Sequence, residues 1–198
     1  MDIFPISYFG SIAYYQALCS NPHSTLDVGE HFIKQTIRTR MEILGPNGKQ
    51  TLTIPVQRPF GNKTAMKEVR IVEDGWRKLH IRSLKTAYAS SPFYDYYEKE
   101  IIELIENEEL SLIQFLAKIH LRIIEWLGLP LELNWSMQFV QAKEGDRDFR
   151  KTTFDSEGEF NIQPYTQVFA EKKDYVNNLS ILDLIFNEGP MARKWIIQ

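Results

Sequence analysis

Cysteine is almost missing from this 198-residue chain, which holds only Cys19. An intramolecular disulfide is therefore excluded, and so are thiolate metal clusters and Cys-x-x-Cys redox chemistry. Cys19 lies in the apolar run ALCS and reads as a small core residue rather than a reactive thiol. No G-x-G-x-x-G or G-x-x-x-x-G-K-[ST] loop occurs, so a standard dinucleotide or P-loop site has no support. The four histidines show no His-x-x-x-His or His-Glu-x-x-His spacing, and neither a metal nor a cofactor is expected. The nucleophile-elbow pattern of serine hydrolases is also missing. No apolar run reaches the roughly 20 residues of a membrane span, and no basic-then-apolar leader opens the chain. The expectation is a cytoplasmic protein with no membrane span.

What is present suits one folded unit over residues 1–198. Hydrophobic residues make up 43% and aromatics 13%, enough for a full core, and the 25% charged fraction is ordinary for a globular protein. The net charge of -3 hides a division. Lys34 to Lys85 carries twelve Lys and Arg against four acids, an excess of eight positive charges, which leaves the remainder at -11. Such a split predicts one electropositive face on an acidic body. The overall acidity, and the lack of any RNP, helix-turn-helix or KH pattern, argue against a nucleic-acid partner.

Along the chain, DIFPI reads as a strand, IAYYQALCS as a helix and TLDV as a second strand, the β-α-β opening of an α/β domain. IRTRMEI (37–43) alternates with period two, and with TLTIPV (51–56) it predicts a hairpin across GPNGKQ. On that strand Arg38 and Arg40 would project together. MKEVRIV alternates as a further strand. WRKLHIRSLKTAYAS, PFYDYYEKEIIELIENEEL and SLIQFLAKIHLRIIEWLGLP predict three helices, the last stopped at Gly128 and Pro130. LNWSMQFV reads as a strand, and NLSILDLIFNEGP as a helix capped by Asn178 or Ser180. Residues 142–161 are polar and dense in charge, and the expectation there is a mobile loop. The fold class expected is α/β, a mixed sheet with flanking helices.

Taken together, HFIKQTIRTRMEILGPNGKQTLTIPV, WRKLHIRSLKTAYASSPFYDYY and YTQVF with NLSILDLIFNEGP resemble the WbqC-like family of bacterial proteins. Phe32, Lys34 and Arg40 match its Phe-x-Lys…Asn-Arg pattern, with Thr39 where Asn is usual. Trp76, His80 and Tyr88 match its Trp…His…Tyr helix, and Asp183 and Asn187 its C-terminal helix. The His-Gln-Pro step that opens many members is replaced here by Phe4, Pro5 and Ile6. The family name comes from members encoded among polysaccharide (O-antigen) biosynthesis genes, which implies a transferase-like role.

The candidate site follows from both lines of reading. Lys34, Arg38 and Arg40 are the residue types that hold phosphate, the guanidinium forks bidentately and the lysine as a point charge; the competing reading is a solvated strand face. His80 is the general-base candidate, because an ordinary imidazole titrates near neutral pH, and it is alternatively a bonded core histidine. Trp76, Tyr88 and Asp183 would line the substrate cleft, although Asp183 also suits a bond to the start of a neighbouring helix. The partner expected is a small phosphorylated or nucleotide-linked ligand. Two functions fit: a transferase acting on a nucleotide-activated sugar or other polysaccharide precursor, or a non-catalytic anion- or nucleotide-binding or assembly protein.

Overall fold

Strand β1 (Asp2–Phe4) and strand β2 (Ser24–Asp27) pair in parallel, Ile3 opposite Thr25, with helix α1 (Ile12–Cys19) crossing between them. These elements belong to a computed structural model that describes residues 1–21, 23–154, 162–169 and 174–197. The predicted β-α-β opening is therefore present. Helix α1 begins at Ser11, whose Oγ accepts the Tyr14 N–H at 3.3 Å. Six of its eight residues are buried, as suits a helix enclosed by other elements.

Two short strands complete the sheet. Strand β7 (Asn134–Ser136) lies beside β2, and strand β8 (Arg147–Asp148) lies along the other side of β1, giving the all-parallel order β7-β2-β1-β8. No apolar alternation marks β8. The partner strand creates it, because Arg147 N–H donates to Met1 O at 3.0 Å and Phe149 N–H to Ile3 O at 2.8 Å.

The antiparallel strands form separate ladders. Strands β3 (Arg40–Gly45) and β4 (Gly48–Thr53) make the expected hairpin, closed by a two-residue turn at Pro46 and Asn47. The first strand starts three residues later than its alternation predicts. Thr39 N–H bonds back to Thr36 O at 3.1 Å, so Ile37 to Thr39 form a turn and Arg38 does not share a strand face with Arg40. Strands β5 (Val56–Gln57) and β6 (Arg70–Ile71) form a second small ladder. The first three residues of the expected MKEVRIV strand are instead a 3-10 turn, Met66–Glu68, where Glu68 Oε2 accepts the Ala65 N–H, and only Arg70–Ile71 is strand.

Helices α2 (Trp76–Tyr88), α3 (Tyr94–Glu106) and α4 (Leu112–Leu127) fall close to their predicted spans. Gly128 ends α4 in the left-handed conformation, φ +55°. Helix α5 (Ile181–Glu188) is capped by Ser180 Oγ, and a short helix α6 (Arg193–Ile196) follows. Among the described residues, no helix is long and apolar enough to cross a membrane.

Within 142–154, part of the expected mobile loop, three side chains are anchored to the start of the chain. Arg147 pairs with Asp2, Phe149 stacks on Phe4 with centroids 4.5 Å apart, and Phe154 is buried against the same ring. The remainder of the expected mobile loop, 155–161, lies outside the described residues.

Candidate functional site

The chain runs from β1 to β2 on one side and later returns to place β8 on the other. A parallel sheet with such a reversal opens a crevice outside its carboxyl ends. In that region lie Phe9 and Ser11 after β1, Asp27 to Glu30 at the end of β2, and Arg150 and Lys151 after β8. Two cavities occur here. The first, about 360 Å³, is lined by Phe9, Ser11, Arg40, Glu42, Thr152 and Ser180 among others. The second, about 500 Å³, is lined by Gly29, Glu30, His31, Phe139, Gln141 and Asp148. Ile33, Arg150 and Lys151 belong to both.

Three arginines meet at this end of the sheet, and two are neutralised. Arg38 is 1% exposed and grips Glu30 with both arms of its fork, Nε to Oε1 at 2.8 Å and Nη2 to Oε2 at 2.7 Å. Its Nη2 also donates to Arg150 O at 3.0 Å. Burial pushes the Glu30 carboxyl up, to about 7, and the Arg38 guanidinium keeps it from rising further. Arg150 is buried between Asp27 (2.5 Å) and Asp148 (2.6 Å) and donates to Val140 O at 2.9 Å.

Arg40 differs. It is half-buried on β3, lines the first cavity, and has no carboxylate partner among the described residues. Its buried Nε has no hydrogen-bond partner either. Glu42, two positions along the same strand face, is held by Lys49 at 2.8 Å. Lys151 and Lys34 are exposed and form no ion pair with any described residue. Lys34 does not line the first cavity, but its neighbours Ile33 and Gln35 do.

Helices α1 and α5 start at this cavity through Ser11 and Ser180, yet their first amides are already taken. Ile12 N–H donates to Leu179 O, Ala13 N–H to Asn178 Oδ1 and Ile181 N–H to Gly10 O. The helix starts add favourable dipoles for an anion but no free donors.

His80, Trp76, Tyr88 and Asp183 lie elsewhere, in the core, and none lines either cavity. Helix α2 turns its Trp-His stripe inward, as the 3.6-residue period of its apolar residues dictates. His80 Nδ1 and Tyr8 Oη are 2.9 Å apart, and the Trp76 ring meets the imidazole edge-on at 4.9 Å. Burial lowers the His80 pKa to about 4, so this imidazole is neutral at physiological pH. Tyr88 Oη donates to Asp183 Oδ1 at 2.8 Å, and Tyr165 Oη donates to Asp183 Oδ2 at 2.6 Å. Burial raises the Asp183 carboxyl above its usual range, and tyrosine hydroxyls rather than a helix start satisfy it. Asn187 bonds back to Asp183 O within the helix. Neither cavity brings a side chain of α2 together with Arg40.

Asp27, Phe139 and Arg150 escaped the sequence reading. Asp27 ends β2 and carried one usable signal, since acids at a strand's carboxyl end sit where α/β crevices form. Arg150 had none, because its charge-dense surroundings mimic a solvated loop. Among the described residues, no group of three or more His, Cys, Asp or Glu side chains is placed to hold a metal. Chemically, the first cavity offers cations for an anion and one carboxylate, Glu42, but no histidine.

A family model described as the WbqC-like protein family matches residues 7–154, about three quarters of the chain. No curated protein and no solved structure gives a significant match.

Proposed function

The chain belongs to the WbqC-like protein family, and from that premise we propose that the cavity beside Arg40 binds the phosphate of a phosphorylated or nucleotide-linked polysaccharide precursor. One observation carries this reading: a half-buried guanidinium borders a cavity with no carboxylate among the described residues neutralising it and with its Nε unbonded. An unsatisfied buried donor costs about 1–3 kcal/mol, which a ligand oxygen would recover. Phosphate suits the fork of Arg40, and Lys151 adds a second positive charge at the rim. Lys34 extends the positive field along the same edge.

A transferase is the second reading, and Glu42 favours it. Its carboxylate lines the same cavity on the same face of β3 as Arg40. In a transfer reaction the cations would stabilise a phosphate leaving group, and Glu42 would accept a proton from the attacking hydroxyl. His80, neutral and enclosed, has a structural role in both readings.

Calorimetric titration of inorganic pyrophosphate tests the binding. Arg40→Ala should weaken it by about 1.5–3 kcal/mol, the worth of hydrogen bonds to a charged group. Equal affinity in parent and variant would remove the anion site. Where a nucleotide sugar is turned over, Glu42→Gln should slow the reaction about 10²-fold or more while leaving binding nearly unchanged.

A further inference from the structure

Phe139 is 56% exposed, yet the backbone around it is fixed. Val28 N–H donates to Ser136 O at 3.0 Å, and Val140 N–H donates to Asp27 Oδ2 at 3.1 Å. Beneath the segment lies Gly29, where a Cβ would stand 2.1 Å from the Gln138 carbonyl carbon and 2.3 Å from the Phe139 nitrogen. Only glycine admits so close a backbone approach. The Arg150 guanidinium lies 4.4 Å from the Phe139 ring centroid and is itself clamped by Asp27 and Asp148. Scattered exposed aromatics are ordinary. A ring at a cavity rim, carried by a pinned backbone and backed by a buried cation, is a platform for stacking.

We propose that the cavity beside Phe139 receives the base of a nucleoside diphosphate whose phosphates extend past Arg150 and Lys151 to Arg40. This inference rests on the phosphate reading of the neighbouring cavity and gives that ligand its other end. Ile33, Arg150 and Lys151 line both cavities, so an occupant of the two is elongated, with its anion on the Arg40 side. The volume of about 500 Å³ accommodates a nucleoside. A nucleobase presents a π-face to Phe139 and a polar edge to the remaining wall. That wall holds Gln141, whose amide both donates and accepts, and Asp148, which accepts. A lipid chain on the pyrophosphate would have to bury hydrocarbon against these groups, which disfavours it.

Calorimetric titration of the full chain with UDP, dTDP, GDP, CDP, ADP and inorganic pyrophosphate tests the proposal. At least one nucleoside diphosphate should bind about tenfold or more tighter than pyrophosphate, the scale of one base–aromatic stack. Phe139→Ala should abolish that preference and leave pyrophosphate affinity unchanged. Phe139→Leu, which keeps apolar bulk without the ring, should act like the alanine variant, and far-UV circular dichroism checks that both are folded. If pyrophosphate binds but no nucleoside diphosphate binds tighter, or the preference survives both variants, the base site is overturned and the anion site stands. If neither pyrophosphate nor any nucleoside diphosphate binds, both fall together.

Discussion

The crevice at the carboxyl end of the sheet and the interior beneath α2 and α5 both gather titratable side chains, and they treat them differently. In the interior the two histidines and the aspartate meet neutral partners: His80 meets Tyr8, His120 Nε2 meets Ser7, and Asp183 meets Tyr88 and Tyr165. Burial drives these groups toward their uncharged forms. At the crevice the partners are opposite charges, Arg38 with Glu30 and Arg150 with Asp27 and Asp148, while the half-buried Arg40 and the exposed Lys151 form no ion pair with any described residue. Uncharged networks hold a core together. A surplus charge beside a cavity is available for a ligand.

Breaking one partner on the crevice side should have the largest effect on stability. Arg38→Ala leaves the Glu30 carboxyl buried without its cation, and urea unfolding should register a loss of about 3–5 kcal/mol. A loss below about 1 kcal/mol would mean that Glu30 is solvated and that the contrast with Arg40 has no basis. On the interior side, Asp183→Ala strands two tyrosine hydroxyls and should cost about 3 kcal/mol, while pyrophosphate affinity stays within twofold of the parent. A selective loss of affinity there would return Asp183 to the site.

The interior histidines and the crevice's Glu30 titrate in opposite senses. His80 and His120 are held at about 4, below the ordinary 6.5, so their protonation opposes the fold. Their contribution is complete above pH 6.5 and is lost as pH falls toward 4. Glu30 is raised from 4.5 to about 7, so its ionisation opposes the fold, and its contribution is greatest below pH 4.5 and lost as pH rises toward 7. Between pH 4.5 and 6.5 the slopes counteract. Unfolding free energy should therefore climb more steeply with pH in Glu30→Gln than in the parent. Parallel curves for the two proteins would contradict the raised Glu30. The smallest loss of stability belongs to Arg40→Ala, which removes no protein partner and takes away an unbonded buried Nε, so the free variant should be destabilised by no more than about 0.5 kcal/mol despite weakening the anion.

Much of the secondary structure was legible because it is locally encoded. Helices α1 to α5 follow from apolar period and from punctuation by Ser11, Gly75, Gly128 and Ser180. The β3–β4 hairpin follows from alternation. The site was less legible. Lys34, Arg38 and Arg40 are close in sequence and chemically alike, yet a turn at Ile37–Thr39 and a glutamate eight residues upstream decide that Arg38 is occupied and Arg40 is open. His80 reads equally well as a base or a core residue, since an inward helix face is also how a cleft would be lined.

The sequence by itself determined the α/β class, the WbqC-like resemblance, the helix stripes and the concentration of positive charge between Lys34 and Lys85, because each is written in periodicity, motif or composition. Tertiary structure alone decided which charge stays unpaired. Strand β8 has no pattern of its own and exists only against β1. In forming, it carries Arg150 to Asp27 across 123 positions of chain and sets Lys151 at the cavity rim. Pairing of charges depends on distance and burial in three dimensions, and neither is a property of neighbouring residues in the chain.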